Sequence, residues 1–411
     1  MSQQGPLIVV SSGEKLSFST ALSETEMFPI VDAVWSEALR AVEKLQPAAV
    51  LASAPPEAEP LLWKLAEQVA ARQPYVPLLV IDPTMPLPAN GIPFSQMGGN
   101  GDRLSARLRA ALRVRTLHAT VLRRVADDPA IQAQVDTDPI EDATVLLIGR
   151  GAAYPALSVA LGERMGVVGA LSIEAAAKHL NARDLDGIVM AEGFSLRVVD
   201  AFLTVLAEDA RFRNLPVAVT IPGLAPAYDL PNLELTSGEP ARVAANASPL
   251  IRQHAFEARL RRTLTAIESD GLLDQRTGLL TKAAFDRDFA TVVYQTASRG
   301  SRLSMARFSF DEIDGRALLD AARILGRLMR RADFATLGDD GSLIVVFAET
   351  ALRDAQLIAK RLSSVMKHTM HGPKRDSRID PHVTVATLQP QDSARSILAR
   401  LCDQRARRVA S

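Results

Sequence analysis

At ~100–200 residues per domain, a chain of 411 residues holds two to four domains. Its 47 basic residues balance 47 acidic ones, which excludes the basic field a nucleic-acid polymer requires, and no apolar run in a chain that is 47% hydrophobic approaches the ~18 residues of a membrane span. One cysteine, Cys402, excludes an internal disulfide and a cysteine-cluster metal site, and the opening MSQQGPLIVV has neither the basic start nor the long apolar stretch of a signal peptide, so a cytoplasmic protein is expected.

Leu7–Val10, Ala48–Ala52 and Pro77–Asp82 are short apolar runs of the kind that fill parallel strands. Between them, Ala33–Leu45 and Pro60–Arg72 space their apolar residues by three and four, which predicts helices and a doubly wound α/β unit. Pro83–Asp102, rich in Pro and Gly, reads as an irregular loop, and Arg103–Ala126 as a long arginine-rich helix closing a first domain, residues 1–126.

The pattern restarts with apolar runs at Ala143–Gly149, Val167–Ala170, Gly187–Ala191 and Pro216–Ile221. Leu196–Asp209 is an amphipathic helix, and Arg211–Pro216 a short turn into the next strand. A second copy of the architecture is therefore expected over residues 140–268, ending in the helix Ser248–Ser269 that Asp270–Gly271 stops; an architecture built twice in one chain is modular. The third domain, 272–411, has strands at Leu303–Phe310, Ser342–Ala348 and His382–Thr387. Helices at Arg316–Arg331 and Leu352–His368 lie between them, the α+β alternation of a nucleotide-cyclase palm.

Asp274-Gln275-Arg276-Thr277-Gly278-Leu279 followed by Phe285 resembles the D-x-L-T-G-L opening of GGDEF domains, the family that condenses two GTP into cyclic di-GMP. Downstream, Arg330 to Thr350 resembles the family's R-x-x-D, five-residue spacer, G-G-[DE]-E-F, apolar strand and acidic turn, in ungapped register. The preceding tandem α/β units resemble response-regulator receivers. The whole order, receiver, receiver, degenerate GGDEF, is similar to the PleD-like and PopA-like regulators.

Cyclase chemistry requires carboxylates that hold divalent metal against the triphosphate. Asp339, Asp340, Gly341, Ser342 and Leu343 stand at the positions of G-G-[DE]-E-F, so the acidic pair is Gly-Ser. Phe308 to Asp314 aligns with the family's I-D-I-D-x-F-K, which puts Ser309 where a metal-binding Asp belongs; the N-D-x-x-G-H stretch is absent because Gly315 runs directly into a helix, and Thr281 replaces a guanine-contacting Asn. The resemblance thus implies no catalytic residues, no metal and no cofactor. The other possibility at this loop is that Asp339 and Asp340 shift to hold the metal.

Arg330 and Asp333 match the family's inhibitory site for cyclic di-GMP. Guanidinium donates in parallel to guanine O6 and N7, while a carboxylate accepts from N1 and N2. The same spacing elsewhere, Arg124 with Asp127 and Arg197 with Asp200, reads as an i,i+3 surface ion pair, and that reading also stands open for Arg330 and Asp333. By the family's register Arg361, or Lys360, completes the site, and Arg331 adds positive charge beside the phosphates.

The receiver-like units lack phosphoacceptor chemistry. Ser11-Ser12 and Ile148-Gly149-Arg150-Gly151 replace the acidic pairs, and Ser53 or its neighbour in the first unit and Ala191 in the second occupy the acceptor positions, with Glu192 beside the latter. Both units are expected to be interaction surfaces. The expectation is a non-enzymatic cyclic di-GMP effector; resemblance to the family implies a homodimer, adaptor work with ClpXP and its substrates in cell-cycle control, and recruitment to a cell pole. The alternatives are an atypical diguanylate cyclase and a nucleotide-independent scaffold.

Overall fold

The computed structural model describes residues 5–13, 22, 29–96, 101–125, 128–224, 228–311, 313–367, 369–370 and 379–409, with the side chains of 101, 299, 369, 370 and 403–409 left aside. Ala126, Asp127, Glu312 and His368, which the sequence reading touched, lie outside the described residues, as do 97–100. The chain divides into two compact units: Met1–Arg164, Ala170–Ile173 and Leu185–Arg261 form the first, and Met165–Gly169, Glu174–Asp184 and Arg262–Ser411 the second.

In the first unit, β1 (Leu7–Ser11), β2 (Ile30–Val34), β3 (Ala49–Ser53), β4 (Leu78–Ile81) and β5 (Gly91–Phe94) form a parallel sheet in the order β2-β1-β3-β4-β5. Both faces are apolar because both are covered. Ile8, Val10, Val50 and Val80 pack with α1 (Ala38–Leu45) and α2 (Glu59–Ala70), while Leu7, Val9, Leu51 and Leu79 pack with Leu104, Leu108 and Leu112 of α3 (Gly101–Arg124). Two expectations are corrected. Residues 33–34 end a strand rather than start a helix, and the segment 83–102 contains β5, whose Gly-Ile-Pro-Phe resembles loop composition because an edge strand tolerates Pro.

After the short helix α4 (Pro129–Val135), β6 (Thr144–Ile148), α5 (Tyr154–Gly162), β7 (Gly166–Ala170), α6 (Ile173–Ala182), β8 (Gly187–Met190), α7 (Leu196–Glu208), β9 (Val217–Val219) and β10 (Leu233–Leu235) follow. Strands β10-β9-β8-β6 are parallel neighbours, and the Gly149 N–H donates to Ala170 C=O at 3.1 Å on the other side of β6. The sheet order of the first module is thus repeated. The helix expected from Ser248 begins earlier: α8 runs Pro240–Glu268 with Pro249 inside it, and Asp270 and Gly271 end it in the left-handed region at φ 51° and 70°.

The second unit holds α9 (Lys282–Arg299), β11 (Leu303–Ser309), α10 (Gly315–Leu328), β12 (Phe334–Leu337), β13 (Leu343–Ala348), α11 (Leu352–Met366), β14 (Thr369–Met370), β15 (His382–Thr387) and α12 (Ala394–Val409). Its antiparallel sheet has the order β12-β13-β11-β15. Alternate residues again serve two cores: Ala306, Phe308, Val345 and Phe347 face α10 and α11, and Met305, Ile344 and Val346 face Phe285 and Phe289 of α9. The expected end of α10 at Arg331 is corrected to Leu328, which frees Arg330 to Asp333 to form a turn.

Candidate ligand-binding site

The D-x-x-T-G-L opening is a structural turn. Asp274 Oδ1 accepts from the Thr277 N–H at 2.8 Å and its hydroxyl at 2.6 Å, Gly278 takes φ 74°, and Leu279 enters the core. The next residue ties the turn to β12: the Leu280 N–H donates to Ala335 C=O at 3.0 Å, and the Thr336 hydroxyl to Leu280 C=O at 2.9 Å. Thr281, at the position of the guanine-contacting Asn, spends its hydroxyl on the Gly271 and Leu272 carbonyls at 3.3 Å.

Arg330 and Asp333 form the turn that leads into β12, closed by the Asp333 N–H donating to Arg330 C=O at 3.0 Å. They are not an ion pair. Asp333 Oδ1 accepts instead from the Ala348 N–H at 3.2 Å, at the end of β13; partial burial raises its pKa, which the hydrogen bonds from Ala348 and Arg330 and the positive charge of Arg330 only partly offset. Arg330, Arg331 and Arg361 are exposed, and none of them makes an ion pair among the described residues. Arg361 stands about two and a half turns into α11, on a solvent face with Arg353 and Lys360, opposite the buried Ala355, Ala359 and Leu362. No described contact joins it to Arg330 or Asp333. Of the other R-x-x-D matches, Asp200 binds the Tyr228 hydroxyl at 2.5 Å rather than Arg197, and Asp127 lies outside the described residues.

The hairpin carrying the signature positions closes on itself. The Gly338 N–H donates to Ser342 C=O at 2.7 Å, the Gly341 N–H to Gly338 C=O at 3.0 Å, and Gly341 adopts φ 73°. Asp340 Oδ1 accepts from the Ser342 N–H at 3.0 Å and hydroxyl at 2.6 Å, while its Oδ2 accepts from Arg307 Nη2 at 2.5 Å. Burial alone would raise the Asp340 pKa; the Ser342 donors and the Arg307 guanidinium outweigh it and bring it down to about 2. Arg307, on β11 and buried, also donates to Ser342 Oγ at 3.1 Å. A fixed guanidinium thus occupies the charge-compensating place beside the hairpin's carboxylate.

Arg307 was missed by sequence reasoning. Its signal was available: an arginine in the otherwise apolar Leu303–Ser309 run must find a partner if the strand is buried. Ser309 is buried two residues further on, its hydroxyl 3.5 Å from His382 C=O, and Asp339 is exposed. Leu343 is core, and α10 starts at Gly315 because Asp314 caps it, its Oδ1 accepting from the Ala317 N–H at 2.7 Å. Among the described residues, no group of three or more His, Cys, Asp or Glu is placed to hold a metal ion. Nor, among the described residues, is any helix long and apolar enough to cross a membrane.

The positions that the receiver resemblance singles out, Ala191 and Ser53, lie among backbone contacts. Glu192 C=O accepts from the Arg150 and Gly151 N–H groups at 3.1 Å each, and Arg150 Nε donates to Gly193 C=O at 2.8 Å. The approach is so close that a Cβ on Gly149 would lie 2.8 Å from that of Ala191, and one on Gly151 2.8 Å from that of Glu192. In the first module, the Trp35 indole N–H donates to Ser53 C=O at 3.2 Å, covering the end of β3.

No family model matches the chain, and no curated protein matches it. Solved structures with which it shares similarity include the coiled coil and GGDEF domain of DgcB from Caulobacter crescentus in complex with c-di-GMP (18% identical over 36% of this chain and 87% of that one, TM-score 0.31). Others are the FimX GGDEF domain from Pseudomonas aeruginosa (18%, 33% and 94%, TM-score 0.30) and the active GGEEF domain of a diguanylate cyclase from Vibrio cholerae (15%, 30% and 87%, TM-score 0.28). Each likeness extends over about a third of the chain, and the functional reading rests on the residues themselves.

Proposed function

We propose that this chain is a non-catalytic cyclic di-GMP effector whose ligand site is built on Arg330 and Asp333. The observation that carries the reading is that these two residues, at the spacing of a surface ion pair, do not form one. The strand end fixes the carboxylate and the guanidinium stays open, the donor and acceptor pair a guanine edge requires. Arg331 contributes phosphate-compensating charge, and Arg361 extends the site where the ligand bridges to the solvent face of α11. Absence of turnover is supported by the Arg307–Asp340–Ser342 network, which engages the Asp340 carboxylate of the hairpin, and by Ser309 and Ser342 standing where metal-assisted phosphoryl transfer would need carboxylates.

The two α/β modules act in this reading as receiver-like docking surfaces without phosphoacceptors, and the chain works as a homodimer. The family resemblance extends the proposal to adaptor work delivering substrates to ClpXP in cell-cycle control, with recruitment to a cell pole.

Calorimetric titration of cyclic di-GMP into the wild-type chain and Arg330→Ala, with GTP turnover followed on the same preparation, tests it. Micromolar binding in the wild type, weakened at least about tenfold in the variant and without turnover, is the expected result. Turnover would make the chain an enzyme, and no binding to either protein would leave a scaffold.

A further inference from the structure

Helix α7 buries Val199, Phe202, Leu203 and Leu206 and leaves a second apolar stripe facing solvent: Val198 at 39% exposure, Ala201, and Val205 at 61%. Its charges run against the helix dipole. Arg197 stands in the first turn, where positive charge is unfavourable, and Glu208 is the last residue, where negative charge is unfavourable; the first turn has no acid and the last no base. Both are exposed, and neither has an ion pair among the described residues. Asp200, the i+3 neighbour of Arg197, is taken by the Tyr228 hydroxyl at 2.5 Å.

Arg197 and Glu208 are about three turns, ~16 Å, apart, so both flank the stripe on the same side. We propose that α7 is the surface through which two copies of this chain associate, packed antiparallel across a twofold axis near Phe202 and Leu203. In that arrangement flanking positions on one side face each other, so Arg197 of each copy meets Glu208 of the other, twice by symmetry. Each guanidinium also reaches the negative end of the opposing helix, so charges that oppose α7 alone favour the pair. Ala201 near the axis allows the backbones to approach, and Val198 and Val205 bury against their counterparts. An interface centred on one helix ~20 Å long lies at the small end of specific interfaces, so the association is expected to be micromolar and concentration dependent.

The inference rests on the homodimer named above and gives it a surface. It is tested by sedimentation of the full chain over a concentration series, with wild type, Val205→Asp, Arg197→Glu and the double variant Arg197→Glu, Glu208→Arg. The wild type is expected to move toward twice the 44.3 kDa chain mass. Each single variant should weaken association at least about tenfold, and the double variant, which restores opposite charges across the axis, should regain most of it. Dimers that persist in both single variants would overturn the α7 surface and leave the homodimer standing on another. A wild type that stays monomeric throughout would overturn both. Cyclic di-GMP titrated into the same samples reads the ligand site independently, because none of these residues belongs to it.

Discussion

Asp333 shows how a short motif gains meaning only when its partners are known. The same three-residue spacing yields a hydroxyl-bound carboxylate at Asp200 and a strand-end acceptor at Asp333, and neither is the ion pair that spacing alone suggests. Burial raises the Asp333 pKa, so in the free protein its charge is lost at a higher pH than for an ordinary carboxylate. In the proposed complex guanine N–H donors favour the charged form, so binding would lower that pKa, and by linkage affinity is full above the free-state pKa and falls as pH drops through it. Titrations of cyclic di-GMP between about pH 7 and pH 4 should show affinity falling toward acid in the wild type. In Asp333→Asn the acid-side fall should largely vanish; a wild-type profile flat over that range would remove Asp333 from the site.

At the scale of elements, the two loops that end β6 and β8 give a test of the proposal that the second module is receiver-like without a phosphoacceptor. Ala191→Asp supplies an acceptor, but Gly149, Arg150 and Gly151 provide no acidic pair for Mg²⁺, and their backbone already lies against 191–193. Incubation of Ala191→Asp with acetyl phosphate and Mg²⁺ is expected to give no covalent phosphate by intact mass, and a stable phosphorylated species would show that the loops open. What the sequence revealed and what it hid follow the same physics. Interior strands β1, β3, β4, β6 and β8 are legible as apolar runs because both faces are buried. The missed strands β2, β5, β10, β12 and β14 are all sheet edges, where short length, alternating exposure and Pro93 blur the signal. For the candidate site, Asp274, Thr277 and Gly278 and the pair Arg330 and Asp333 were picked out by their resemblance to a family pattern and not by spacing alone, which Arg197 and Asp200 share. The Arg307–Asp340 bond was not, because it joins residues 33 apart in the chain and depends on which strands pair.

On the scale of the molecule, the first unit owes its unity to a charge that no local pattern announces. Arg107 of α3 is fully buried; its Nη1 donates to Pro93 C=O in β5 at 2.7 Å, its Nη2 to Leu233 C=O at 3.1 Å and to the Glu234 carboxylate at 2.8 Å, and its Nε to Pro231 C=O. Arg103 adds a bond to Ser95 C=O at 2.9 Å, and both guanidiniums lie over the Phe94 ring. One side chain therefore satisfies carbonyls from edge strand β5 of the first sheet and from edge strand β10 and its approach in the second, which makes the two modules one body. Arg107→Ala leaves the Pro93 and Pro231 carbonyls without their donor and removes the nearer of the two guanidiniums from the buried Glu234 carboxylate, which Arg103 still reaches at 3.5 Å, so the cost is at most the about 3–5 kcal/mol of breaking a buried pair from one side. Urea unfolding followed by fluorescence and circular dichroism should show the first unit losing that stability and separating into two transitions, one for each sheet. Cyclic di-GMP affinity should hold within about twofold, because Arg330 and Asp333 lie in the other unit. An unchanged single transition would mean that the apolar contacts of the modules, and not the arginine, hold them together.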